Sequence, residues 1–277
     1  MAPSVLITGA YGGMGKATAK LLRDRGFRVF ALDKAVEAEE ENILPIAADI
    51  TQEEDVINAF AAVREKTDSL VAIIHFAGIY MLDSLVEMDS AAFKRIFEIN
   101  LGGAFLVNKT FLPLLKEKSR ILITTSELAP LDPLPFTGVY AVTKGALDKY
   151  AYSLRMELQL KNITVSVLRA GAVSTGMLGV STDALARFCE RTELYTCNAA
   201  RFKRIVERVE ARCVSPEKIA HKTLKILKKR KPKFAYKINR NPLLLLLNAL
   251  PKGLQCFAIK QVLKNKDAAH QAKQEDR

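Results

Sequence analysis

Tyr140 and Lys144 stand four residues apart in Tyr140-Ala141-Val142-Thr143-Lys144, at the start of a helical pattern. That spacing puts both side chains on one helix face. A phenol of pKa ~10 is a poor acid or base at neutrality. An ammonium beside it favours phenolate and makes the pair suited to exchanging a proton with an alcohol. A Tyr/Lys pair at this spacing is also common on plain helix surfaces, so its neighbours must decide. Ser126 ends the apolar run Ile121-Leu122-Ile123-Thr124-Thr125. Its hydroxyl can hold a substrate oxygen near Tyr140, or satisfy the backbone of a loop. Asn100, in Glu98-Ile99-Asn100-Leu101-Gly102, falls inside a helical pattern over 89–115. An amide there is unfavourable unless it bonds backbone or water. A kinked helix with a water joined to Lys144 would give the proton a route out.

A second constellation opens the chain. Val5-Leu6-Ile7 runs into Thr8-Gly9-Ala10-Tyr11-Gly12-Gly13-Met14-Gly15, and helical spacing follows at Ala17, Leu21 and Leu22. Glycines allow a sharp turn and close approach to a ligand, and the amides of a new helix attract a pyrophosphate. The next apolar run, Val29-Phe30-Ala31-Leu32, ends at Asp33. A carboxylate there suits ribose hydroxyls and repels a 2′-phosphate, which predicts NAD rather than NADP. A phosphate loop of the NTPase kind would need Gly at Ala10 and Ser or Thr at Ala17, and fails at both. With NAD bound, the positive ring of the oxidised nicotinamide would further favour the Tyr140 phenolate.

These residues need a scaffold that brings strand ends together. Candidate strands cover 4–8, 28–32, 44–48, 70–76, 120–125 and 163–168, with a last one near 233–238. Candidate helices lie near 14–25, 53–66, 89–115, 139–161 and 216–230. The alternation predicts an α/β fold: a Rossmann-like, doubly wound parallel sheet between two helical layers. Each candidate site residue then falls at or beyond a strand's carboxyl end, where such sheets bind ligands.

The 277 residues allow one large domain, with 49% apolar and 26% charged residues, as in ordinary globular proteins. Cys189, Cys197, Cys213 and Cys256 form no C-x-x-C pair and no cluster with His75, His221 or His270. No metal site is expected. With no signal-peptide pattern at the N-terminus, a cytoplasmic protein is expected, possible contact with a membrane surface aside. The net charge of +12 gathers between Arg201 and Lys237. No nucleic-acid motif accompanies it, so a solvated face is expected rather than a nucleic-acid partner. Residues 174–215 carry helical spacing without a strand and are expected to form a mobile cover. Residues 241–264 hold Leu243 to Leu247, then Pro251-Lys252-Gly253 and a second apolar stretch with Lys260 and Lys264. That run is too short to span a bilayer, which needs about twenty residues. It would line a substrate pocket, meet another subunit, or lie on a membrane surface.

Taken together, the chain resembles a short-chain dehydrogenase/reductase over roughly residues 4–176. The family's glycine motif T-G-x-x-x-G-x-G is met from Thr8 to Gly15. Its Asn-Ser-Tyr-Lys tetrad falls on Asn100, Ser126, Tyr140 and Lys144, and its loop P-G-x-V-x-T is met by Ala170-Gly171-Ala172-Val173-Ser174-Thr175. The resemblance implies a cofactor site made by Gly9, Tyr11, Gly12, Gly13, Met14, Gly15, Asp33 and Lys34. Asp49 and Ile50 would meet the adenine, Phe76, Ala77 and Gly78 would flank the cofactor, and Val173 and Thr175 would hold the nicotinamide amide. Asn100, Tyr140 and Lys144 would touch the cofactor as well. A homodimer or homotetramer is also implied.

Three departures carry expectations. His75-Phe76-Ala77-Gly78 stands for the family's N-N-A-G, so a strand-stabilising asparagine is lost. Ala170 replaces a proline, which predicts a looser nicotinamide loop. Ser126 lies fourteen residues before Tyr140 where the family has thirteen, which calls for a one-residue bulge in Glu127–Pro135.

Pro133-Leu134-Pro135-Phe136 and the apolar C-terminus resemble the branch acting on hydroxysteroids, retinol and similar lipids. The expectation is a dehydrogenase-like domain over 1–240 and an apolar, basic extension over 241–277. It would interconvert a secondary alcohol and a ketone on a hydrophobic substrate, foremost a hydroxysteroid, with NAD(H). The alternatives are a reductase of 3-oxoacyl thioesters and a non-catalytic protein that senses nucleotide or sits on a membrane.

Overall fold

A computed structural model describes residues 2–210 and 212–264. Seven strands form one parallel sheet in the order β3-β2-β1-β4-β5-β6-β7. They are β1 (Ser4–Thr8), β2 (Arg28–Asp33), β3 (Ile43–Ala47), β4 (Leu70–His75), β5 (Leu115–Ser126), β6 (Thr164–Ala170) and β7 (Ala235–Ile238). β1 is buried throughout, as a parallel sheet covered on both faces requires. Side chains alternate between two cores. Leu6, Phe30, Ile73 and Ile121 pack under α2 (Glu53–Arg64) and two later helices, through Val56, Val107, Phe111, Leu147 and Ala151. Val5, Ile7, Val29, Ala31 and Ile74 face the other way, against Ala19 and Leu22 of α1 (Gly13–Arg23).

The strand order reverses between β1 and β4, which opens a crevice at their carboxyl ends. β5 begins earlier than its apolar run, at Leu115, with a register shift against β4 between Leu70 and Ala72. The long helical pattern is not one helix. Asp89 caps α3 (Ser90–Phe97) by accepting from Ala92 N at 3.0 Å; a π-turn over Glu98–Gly102 follows, then α4 (Gly103–Phe111). Pro113, in a short 3₁₀ turn, ends the helical run. α5 (Gly138–Leu158) carries the Tyr/Lys pair.

Residues 174–215 form α6 (Gly176–Arg191) and α7 (Thr196–Glu210), whose Leu185, Phe188, Ala199 and Phe202 pack with Leu82 and Phe136 in a core of their own. Arg191 pairs with Asp83, and Glu87 accepts from Thr192 Oγ1 at 2.7 Å and Glu193 N at 2.9 Å. α8 (Pro216–Leu227) adds Ile219 and Leu224 to the second core, beside α1. α9 (Pro242–Asn248) and α10 (Lys252–Leu263) follow β7. The end of the expected extension, 265–277, lies outside the described residues. No helix among the described residues is long and apolar enough to cross a membrane.

Candidate active site

Gly9 has φ +67°, and a Cβ on it would stand 2.5 Å from Ala77 N, so the turn passes directly against the chain leaving β4. Phe76 N and Ala77 N both donate to Thr8 O there, at 2.9 and 3.1 Å. A Cβ on Gly15 would strike the carbonyl of Gly9, and one on Gly13 would lie 2.7 Å from Thr175 Cγ2. Among the described residues no side chain caps α1 at Gly12, and its first turn has no acid. Its leading amides are therefore open to an anion. At the end of β2 the two oxygens of Asp33 accept from Tyr11 N at 2.9 Å and Lys34 N at 2.8 Å. Each oxygen keeps a lone pair for a hydroxyl donor. Glu37, Glu39, Glu40 and Glu41 follow closely in the chain. Lys16 is paired with Glu37 and Arg23 with Glu40. This cradle fits a dinucleotide.

Asp49 is already well occupied. It accepts from Lys34 Nζ at 2.7 Å, Thr51 N at 3.0 Å and Thr51 Oγ1 at 2.8 Å, and these partners hold its pKa at about 2. Ile50 is buried against Gly103.

The π-turn turns Asn100 inward, where it is buried. Its Oδ1 accepts from Ile79 N at 2.8 Å, and its Nδ2 donates to Ile79 O at 3.0 Å and Thr143 Oγ1 at 3.1 Å. A Cβ on Gly78 would sit 3.0 Å from Asn100 Oδ1 and 3.2 Å from Lys144 Nζ, so both side chains converge on that backbone.

Ser126, Tyr140 and Lys144 come together on one wall of a cavity. Ser126 lies close to the Tyr140 phenol while its Oγ accepts from Leu128 N at 3.2 Å, and Lys144 Nζ lies 5.8 Å from the centre of the Tyr140 ring. Lys144 donates to Thr124 O at 3.4 Å, and Tyr80 packs edge-on against Tyr140. Turns at Ser126–Ala129 and Leu128–Leu131, with Phe136 at φ +63°, shape the loop between Ser126 and Tyr140. In the protein alone the expected lowering of the Tyr140 pKa does not occur. Burial pushes Tyr140 up to about 12, against the Ser126 hydrogen bond, and pushes Lys144 down to about 8.

Two other departures are compensated. His75 Nδ1 meets Thr8 Oγ1 at 3.4 Å and its Nε2 meets Asn108 Oδ1 at 3.0 Å, so the imidazole joins β1, β4 and α4 where an asparagine was missed. The loop after Ala170 is held by Ser174 N to Val214 O at 2.8 Å, Val214 N to Ala172 O at 3.1 Å and Asn239 Nδ2 to Ala172 O at 2.8 Å.

The cavity runs from Met14, Phe76, Val173 and Thr175, past Ser126 and Tyr140, to Leu134, Phe202, Ile205, Val206 and Leu244. Most of its lining is apolar. Glu127 also lines it and was missed as a site residue, although a charge directly after a buried strand was a signal. Burial raises its pKa, and its Oε2 accepts from Asn241 N at 2.6 Å. The C-terminal segment thus forms part of the pocket wall.

The family model for short chain dehydrogenases matches residues 3–186, and the chain belongs to that family. Its members are oxidoreductases acting on CH–OH groups, and they use NAD(P)(H). Estradiol 17-beta-dehydrogenase 2 of Mus musculus is 32% identical over 190 residues, covering 64% of this chain and 49% of that protein. The chain therefore spans about half the length of that relative. The 3-ketodihydrosphingosine reductase of Bacteroides thetaiotaomicron is 24% identical over 262 residues, 92% of this chain and 96% of that one. A short chain dehydrogenase family protein from Francisella tularensis superposes with a TM-score of 0.72 at 22% identity, over 86% of this chain and 97% of its own.

Proposed function

We propose that this protein interconverts a secondary alcohol and a ketone on a hydrophobic substrate, a hydroxysteroid first, using NAD(H). The observation that carries the reading is the cavity itself: Ser126, Tyr140 and Lys144 face it beside Met14 and Thr175, and most of its lining is apolar. NAD is favoured by Asp33 and the run of glutamates after β2. When bound, the cofactor accepts or supplies the hydride and, oxidised, adds a positive charge at the site. Ser126 orients the substrate oxygen by a hydrogen bond. Tyr140 exchanges the proton of that oxygen. Lys144 holds positive charge next to the phenol when protonated, and at about 8 its pKa keeps that form available near neutrality. Asn100 fixes the backbone of Ile79 and the Thr143 hydroxyl around them. The apolar wall excludes water and binds the substrate skeleton.

A second reading, a long-chain keto lipid, is favoured by the Bacteroides relative, whose match extends through the C-terminal segment that lines the pocket. Exposed Phe105 on α4, Leu112 just after it, and Tyr152 and Met156 on α5 support a homo-oligomer.

The test is a panel of hydroxysteroids, retinol and long-chain secondary alcohols, with NAD and NADP, followed by reduced-cofactor absorbance for the wild type and Tyr140→Phe. Turnover with NAD on one lipid class, a loss of about 10²-fold or more in the variant, and unchanged NAD affinity by calorimetry are expected. Full activity in Tyr140→Phe would sink the mechanism. A preference for NADP would sink the role given to Asp33.

A further inference from the structure

We propose that α9 and α10 form a docking face for an anionic lipid bilayer. α9 contains Leu243 to Leu247, yet none of its residues is buried. Leu243 is 67% exposed and Leu246 66%, and on α10 Leu254 is 50% and Phe257 58% exposed. Leu243 and Leu246 are three apart on α9, as are Leu254 and Phe257 on α10, so each pair shares one side of its helix, and large apolar side chains left in water suit an apolar partner. The two helices hold 7 and 12 residues and are broken at Pro251, too short to cross a bilayer but long enough to lie in its interface.

Charge selects the partner. From Lys218 to Lys264 the sequence has thirteen Lys or Arg and no Asp or Glu. Within the two helices and their flanks these are Arg240, Lys260 and Lys264, with Lys252 paired to Asp132. Lys260 and Lys264 follow Phe257 at helical spacing and are exposed beside it. Exposed apolar side chains with exposed lysines close to them in the chain match acyl chains below anionic headgroups. A second copy fits less well, because a self-complementary contact would set the lysines of this acid-free segment against one another.

Position adds a reason for the arrangement. Leu244, on the same helix, lines the cavity together with Phe202 and Val206, while Leu243 and Leu246 face outward. One short helix is therefore both cavity wall and outer surface. An apolar substrate could pass from the bilayer to the cavity without crossing water; this last step rests on the function proposed above, whereas docking does not.

The full-length protein, without substrate or cofactor, should be sedimented with vesicles of phosphatidylcholine alone and of phosphatidylcholine mixed with phosphatidylserine. The wild type is expected to bind the anionic vesicles, and high salt should weaken it. Two variants follow: Leu243→Ser with Leu246→Ser and Phe257→Ser, and separately Lys260→Glu with Lys264→Glu. Each should lower the partition coefficient by about tenfold or more with an unchanged unfolding temperature, since these side chains are exposed. A wild type that stays in the supernatant with both vesicles overturns the proposal. So does undiminished binding of the serine variant. If sedimentation velocity instead shows a self-associated species that the serine substitutions dissolve, without vesicle binding, the face belongs to a second copy and the proposal fails. Because turnover is not read, failure of the catalytic reading leaves this outcome untouched.

Discussion

His75 shows how one buried side chain sets a property of the whole protein. It is enclosed between Thr8 and Asn108, and burial lowers its pKa to about 4. An unfolded histidine titrates near 6.5, so between about 4 and 6.5 the unfolded chain binds more protons than the folded one. Stability tied to His75 is complete above that window and drains away as pH falls through it, by about 3 kcal/mol at pH 4. Urea midpoints of the wild type from pH 7 to 4 should show this fall, and His75→Asn should flatten it. Equal acid sensitivity in the two proteins would place the cause elsewhere. The same residue marks a limit of reading the chain alone. The sequence told that an asparagine was missing, but Asn108, which takes up the bond, lies 33 positions away and is joined to it only by the fold. Tyr140 marks another: its spacing from Lys144 was legible, whereas the desolvation that sends its pKa upward comes from burial among residues distant in the chain, Tyr80 among them.

At the scale of elements, the π-turn is the joint of the site. It interrupts the helical pattern at Glu98–Gly102, and through Asn100 it bonds the chain after β4 at Ile79 and α5 at Thr143. Asn100→Ala would leave the Ile79 N–H and C=O without these partners, at about 1–3 kcal/mol for each buried group left unpaired. A fall of about 5 °C or more in unfolding temperature is expected, with a larger loss in kcat than in cofactor affinity. A variant with native stability and native kcat would remove Asn100 from any positioning role. The strand pattern was legible because strands buried on both faces are continuous apolar runs, as in β1 and β2. The split of 89–115 was less so: its apolar spacing persists across the π-turn, and only the inward amide hinted at a break. β5 begins early because Leu115 pairs with Leu70, a contact that local sequence does not encode.

At the scale of the molecule, the chain's last segment returns to close the cavity opened at its first. Asn241 N donates to Glu127, Asp132 N donates to Asn248 Oδ1 at 2.7 Å, and Lys252 pairs with Asp132. On the other side, Asn198 Nδ2 donates to Leu263 O at 2.8 Å and Arg201 to Lys264 O at 2.9 Å. The segment therefore straps the loop after β5 to α7, the helix that supplies Phe202, Ile205 and Val206 to the cavity. The glycine turn and Asp33 make their hydrogen bonds elsewhere in the chain. Loosening the strap should accordingly affect the apolar end of the site and spare the rest. Asn248→Ala removes the acceptor for Asp132 N while leaving every cavity-lining side chain in place. KM for an apolar substrate should rise by about three- to tenfold, as expected for loss of about 1 kcal/mol of ground-state binding, with kcat and NAD affinity unchanged. An equal fall in kcat at constant KM would mean that the C-terminal segment acts on the chemistry itself, and that the division between an apolar outer wall and a separate reacting centre is wrong.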